Sequence, residues 1–181
     1  MSLLQQARHV HVGSYYLLDR LRPDVPKLFA TAHKYGITTS LDTNYDPSEQ
    51  WAGGIHDTLA QTDVFLPNEA ELAGISGQAD VESGLRLLGE GVPLIVVKQG
   101  SAGATAWRDG QTTRQGSIPV EVVDTTGAGD SFDAGFIYGY LNSYSLERTL
   151  QLAVVCGALS TRAAGGTAAQ ATLAEAEGEK C

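Results

Sequence analysis

The chain has 181 residues, 43% of them hydrophobic and 18% charged, and its 12 Lys and Arg against 21 Asp and Glu give a formal charge of -9. That size and balance match one soluble globular domain with a sizeable core, and they exclude the disordered and collagen-like classes. The negative charge opposes the attraction on which nonspecific nucleic-acid binding relies, so no nucleic-acid partner is expected and an anionic ligand must be held by local geometry.

No apolar run approaches the roughly 20 residues that cross a bilayer. The opening MSLLQQARHVHV has neither a basic n-region nor a small-residue cleavage site, so a cytoplasmic location and no membrane partner are expected. Cys156 lies in an apolar helical stretch and Cys181 at the terminus, without the spacing of a pair or of zinc ligands; Cys156 is read as core.

Along the chain, short β-rich runs alternate with longer helical patterns. HVHVGS at 9–14 predicts a strand, 24–35 a helix, and ITTSLDTN at 37–44 a second strand. His9 and His11 would share one face of the first strand, and with His33 and His56 they make no metal-ligand spacing; packing or surface roles are expected. Trp51 and Trp107 are read as part-core or rim. DVFLPN at 63–68 is followed by helical patterns near 68–75 and 80–90, then by LIVVK at 94–98, apolar on successive residues as a strand covered on both faces would be. This is βαβ grammar with a parallel sheet.

From Gly100 to Val123 the character changes. ATAWRDG, QTTRQGS and PVEVV are short alternating runs separated by Gly and Pro, which predicts antiparallel hairpins at the end of the sheet. Helical patterns run from Gly127 to about Tyr144 and from Leu146 to about Arg162, both rich in small residues that permit close packing. The acidic tail, 173–181, is expected to fray. No internal repeat or linker is visible, and 1–181 reads as a single domain.

The most informative stretch is VEVVDTTGAGDSFDAGF, 120–136, where a β-rich run enters a Gly-rich turn and then a helix. Gly127 and Gly129 allow backbone conformations closed to other residues and let amide N–H groups approach a phosphate. The amides and positive dipole end of the helix add to that attraction. Asp130 would repel a phosphate unless it had a separate task, and taking a proton from an attacking hydroxyl is such a task. A tight strand-to-helix connection with an acidic first turn is the plainer alternative. GxGxxG fails at Phe132 and GxxxxGK[ST] is absent, so neither a Rossmann nor a Walker site fits.

DTTGAGDSFDAGF resembles the second signature of the PfkB/ribokinase family of carbohydrate kinases. The resemblance implies a ribokinase-like three-layer α/β/α fold with a mostly parallel sheet and antiparallel hairpins at its end. It implies ATP and Mg2+ as cofactors, a small-molecule sugar as substrate, an anion hole formed by Gly127, Ala128, Gly129 and Asp130, and Asp130 as catalytic base. Asp124 and Thr126 match positions that help bind a monovalent cation such as K+ in ribokinase-like members.

PNEAE at 67–71 resembles the family's NxxE element, in which Asn68 would contact ATP and Glu71 would order water around magnesium. The same two residues also spell a helix capping box, and both roles can hold at once. VVKQGSAGA at 96–104 resembles the strand end and glycine turn beside the nucleotide, with Lys98, Gly100 and Gly103 as ATP contacts. GALSTRAAGG at 157–166 would then lie on the adenine side, although Ala-rich helix packing explains it almost as well. LDTNYDP at 41–47 resembles the DxN segment and offers Asp42 and Asn44 as substrate contacts. They serve equally as turn formers before Pro47. Tyr45 and Asp46 stand where some members carry Arg, which argues against a contact to an acidic sugar or phosphate.

Family members open with an amino-terminal segment that carries a first, GG-containing signature, most sugar contacts and a β-lid that often forms a homodimer interface. The resemblance begins after that segment, so a fold lacking the amino-terminal strands and lid is expected. A non-catalytic nucleotide-binding module and an inactive, truncated kinase remnant are the alternatives to a working kinase.

Overall fold

Four strands line up in parallel. β1 (His9–Val12) pairs with β2 (Thr38–Leu41), β2 with β3 (Val64–Phe65), and β3 with β4 (Leu94–Lys98). The registers run Val12 to Leu41, Leu41 to Phe65 and Phe65 to Ile95. Leu94 to Val97 are buried without alternation, as a strand covered on both faces requires. β5 (Ala104–Arg108) and β6 (Gln111–Gln115) complete a six-stranded sheet in chain order. Asp109 and Gly110, with φ 51° and 79°, join them in a two-residue turn whose positive φ values match the twist of an antiparallel hairpin.

The computed structural model describes residues 3–179, which divide into two compact units. The first comprises Met1–Val97 with Trp107–Gln111, and the second Lys98–Ala106 with Thr112–Cys181. In the first unit the helices are α1 (Val25–Lys34), α2 (Ile55–Leu59), α3 (Glu69–Ser76) and α4 (Val81–Leu88). Phe29, Leu41, Phe65, Leu72 and Ile95 form the centre of its core, each fully buried side chain contributing about 1.5–3 kcal/mol. Trp51 and Trp107 are part-buried against that core, as expected. α2 has no counterpart in the sequence reading because five residues are too few to show a period.

β1 and β2 share a polar cluster. Ser40 Oγ lies 2.7 Å from His9 Nε2 and 2.8 Å from His11 Nδ1, and His9 Nδ1 lies 2.8 Å from Thr38 Oγ1. The two histidines share a face and pack through hydroxyls. Burial, helped by His11 and opposed by Asp63, lowers the His9 pKa to about 4. The unfolded chain takes up this proton near pH 6.5 and the folded chain only near pH 4, so between those values the unfolded state binds more protons and stability falls as pH falls. Thermal unfolding at pH 7.5 and pH 4.5 checks this: the acid loss of Tm should be smaller in His9→Gln than in wild type, and equal losses would remove His9 as a cause.

The second unit rests on α5 (Ala128–Leu141) and α6 (Leu146–Ser160). A Cβ on Gly135 would lie 2.9 Å from Cys156 Sγ and 3.1 Å from Ala153 Cα, and one on Gly139 would lie 2.9 Å from Thr149 Oγ1. The small residues thus bring the two helices against each other. Cys156 is half-buried in this contact, and burial raises its thiol pKa.

Two segments differ from expectation. PVEVV, 119–123, forms no strand: Val122 and Val123 are exposed, and the Val123 and Asp124 amides both donate to Thr161 O, at 2.8 and 3.1 Å, instead of to a ladder. The stretch expected to fray contains helix α7, Leu173–Gly178. Thr172 and Glu175 make a capping box, Ala176 is buried, and Glu177 accepts from Tyr144 and Arg148 at 3.0 and 2.8 Å. Cys181 lies outside the described residues. Among those residues no helix is long and apolar enough to cross a membrane.

Candidate functional site

In the second unit the chain reaches α5 through a turn braced by Asp124. Its Oδ1 accepts from the Thr126 amide at 2.9 Å and the Thr126 hydroxyl at 2.8 Å, and its Oδ2 accepts from the Gly165 amide at 2.8 Å. The Gly165 and Thr126 amides, with the Thr126 hydroxyl, hold the Asp124 carboxyl below its ordinary pKa. The two residues matched to a cation site therefore bond to each other and draw 161–166 against the turn. This link joins two stretches that are about 40 residues apart in sequence, a separation at which no local pattern reports contact.

Gly127 caps α5 with φ 74° and ψ 5°. A Cβ there would lie 2.8 Å from Gly166 O and 2.9 Å from Gly166 Cα, so both the backbone conformation and the space demand glycine. The Ala128 amide donates to Thr125 O at 3.2 Å, and the helical ladder begins with Ser131 N to Gly127 O at 2.9 Å. Gly129 and Asp130 fall between them in the first turn, where helical geometry supplies no intrahelical acceptor. Asp130 is exposed, while Ser131, Phe132 and Asp133 behind it are buried and anchor the helix.

The β4 end meets the same turn. Lys98 Nζ lies 3.6 Å from the position of a Cβ on Gly129 and 3.3 Å from Asp133 Oδ1. Beyond it, Gly100 has φ 55° and Gly103 φ 91°. A Cβ on Gly103 would collide with Gln115 O, so this glycine closes the β4–β5 turn onto β6. The second unit thus carries Gly100 and Gly103 in the β4–β5 turn and brings Lys98, Asp124, Thr126, Gly127, Ala128, Gly129 and Asp130 to the start of α5. Asp133, Gly165 and Gly166 join them without having been singled out; the GG pair alone was visible, as part of the 157–166 segment.

In the first unit Asn68 caps α3. Its side chain accepts from the Glu71 amide at 2.9 Å, and Glu71 Oε2 accepts from the Asn68 amide at 3.0 Å, which completes the capping box. Glu71 is buried, its Oε1 accepts from Asn68 Nδ2 at 2.7 Å, and its Oε2 also lies 3.3 Å from Thr43 Oγ1. Thr43 brings the DxN segment to the start of α3. There Asp42 Oδ1 accepts from the Asn44 amide at 2.7 Å, Asn44 has φ 53°, and its Nδ2 donates to Ser14 Oγ at 3.3 Å. Asp46 is turned inward, accepting from the Ser48 amide at 2.9 Å and the Trp51 amide at 2.7 Å. Among the described residues no three His, Cys, Asp or Glu side chains gather as a metal cage.

Known proteins carry the same arrangement of elements. Residues 1–173 match the pfkB family carbohydrate kinase domain. The chain is 31% identical over 171 residues to an ATP-dependent 6-phosphofructokinase of Thermoanaerobacterium thermosaccharolyticum, covering 90% of this chain and 53% of that protein. It is 44% identical over 119 residues to a fructokinase of Klebsiella pneumoniae, covering 61% of this chain and 39% of that protein. The crystal structure of a fructokinase from Vibrio cholerae O395, in fructose, ADP and calcium ion bound form, matches with a TM-score of 0.84 at 27% identity and covers 94% of this chain and 60% of its own. The chain thus spans about half the length of the curated relatives it matches. With a ribokinase-like α/β fold and a family match that runs through the Gly127 turn, this chain belongs to the pfkB family of carbohydrate kinases.

Proposed function

We propose that this chain supplies the nucleotide-binding part of an ATP-dependent carbohydrate kinase, which moves the γ-phosphoryl group of ATP to a hydroxyl of a sugar or sugar-like acceptor. The observation that carries this reading is the turn at Gly127, which opens α5 in a left-handed conformation and presents the first-turn amides of Gly129 and Asp130. Oxygen-rich phosphate binds such a terminus well, and Lys98 adds a cation beside it. Magnesium would arrive with the nucleotide and neutralise charge on its phosphates. Asp130, exposed in the same first turn, is the base that takes the proton of the acceptor hydroxyl as the new P–O bond forms. The Asp124–Thr126 pair braces the turn, and K+ beside it would reinforce that brace.

Thermal unfolding with and without Mg-ATP tests the nucleotide reading. A ligand at about 100 times its Kd stabilises the native state by roughly 2.7 kcal/mol. The wild-type chain should shift upward in Tm with Mg-ATP. A cooperative transition with no shift would remove this reading.

A further inference from the structure

A second carboxylate stands one turn along α5 from Asp130. The Asp133 side chain is 3% exposed, and its Oδ1 lies 3.3 Å from Lys98 Nζ, whose own side chain is 14% exposed. The same ammonium lies 3.6 Å from the place of a Cβ on Gly129, so it stands beside the first turn of α5. A lysine stem has many rotamers, and a carboxylate fixed on a helix selects among them. Stability is a poor reason for this arrangement, because a buried ion pair loses in desolvation about what it gains in attraction, and a packed apolar pair of similar volume often does as well. A demand on where the ammonium stands accounts for it better.

We propose that Asp133 is a positioning residue that holds Lys98 Nζ against the Gly129 turn, where the ammonium fixes a phosphate group of the nucleotide. Asp133 touches no ligand itself and acts through Lys98. This inference rests on the nucleotide reading above and adds to it a residue that governs phosphate affinity without contacting phosphate.

The test is a double-mutant cycle read as Kd for Mg-ATP and for adenosine by calorimetry, on wild type, Lys98→Met, Asp133→Asn and the double variant. Lys98→Met should weaken Mg-ATP about tenfold, the value of one charge-assisted contact, and leave adenosine unchanged. Asp133→Asn should show the same selective loss, and the double variant should lose no more than Lys98→Met alone. Additive losses, or equal weakening of adenosine, would make Asp133 a support of the helix and overturn the proposal. If Asp133→Asn does not fold, Lys98→Arg decides: its longer guanidinium keeps the pair with Asp133 but shifts the charge, so Mg-ATP should weaken while adenosine holds, and an unchanged Mg-ATP affinity overturns the proposal. A folded wild-type protein that binds no Mg-ATP removes the nucleotide reading and this inference with it. Wild-type binding with an additive cycle removes this inference alone.

Discussion

Asp130→Asn is expected to lower phosphate transfer by about two to four orders of magnitude, the usual contribution of a positioned general base. Its effect on Mg-ATP binding should stay within about tenfold, under roughly 1.4 kcal/mol. The amide has the size of the carboxylate and keeps the first turn intact, but it cannot accept the acceptor's proton. Asp130 is exposed, so the substitution opens no cavity and strands no buried partner. The measurement is ADP formation with a panel of pentoses and hexoses, in the longest form of the protein that can be expressed, alongside calorimetric Kd values for Mg-ATP. Loss of transfer with binding retained supports the assignment. Parallel loss of binding and of thermal stability would make Asp130 structural, and full activity in the variant would sink its role as base.

Gly127→Val should remove measurable Mg-ATP affinity and destabilise the fold by about 3 kcal/mol, roughly 6–12 °C in Tm for a chain of this size. Two costs combine at this position. A β-branched residue is strained at φ 74°, and its Cβ would lie 2.8 Å from Gly166 O, a backbone atom that cannot rotate away. Gly36→Val separates them, because Gly36 has φ 68° with nothing within 4 Å of the added Cβ. That control should lose only the backbone part, about 1–2 kcal/mol, and should still be stabilised by Mg-ATP. If the two variants behave alike, the close approach of Gly127 to Gly166 is not what shapes the turn.

The wild-type response to Mg-ATP anchors both results. A nucleotide shift in wild type and Asp130→Asn but not in Gly127→Val would separate binding from chemistry. A shift in all three would place the nucleotide elsewhere than the Gly127 turn.

Much of the architecture was legible before the structure, because its cues are local. Four successive β-rich runs announced β1 to β4, with a helical pattern after the first and third but none between the second and third, and unbroken burial along Leu94–Val97 follows from the lack of alternation in LIVVK. The short alternating runs ATAWRDG and QTTRQGS announced the β5–β6 hairpin. The spacing Asn68 to Glu71 announced a capping box, and both of its halves are present. PVEVV was misjudged because β propensity measures fitness for a half-buried pleated surface, and here the backbone bonds to Thr161 from the end of α6 instead. Within the tail, 173–178 is helical where fraying is expected, because composition says nothing of where a short helix docks, and Ala176 finds an apolar site formed with Ile118, Leu152 and Val155.

By itself the sequence determined the order of β1 to β6 and of α1, α3, α4, α5 and α6, the Gly-rich turn into α5 and the family resemblance, since each depends on residues close together along the chain. Only the tertiary structure decided that Asp124 bonds Gly165, that Gly127 needs glycine because Gly166 lies against it, and that Asp133 pairs with Lys98 beside Gly129. Those contacts join residues about 35 to 41 positions apart. Hydrogen bonding and close packing at such separations are set by how the elements stack, which no periodicity of 2 or 3.6 residues encodes.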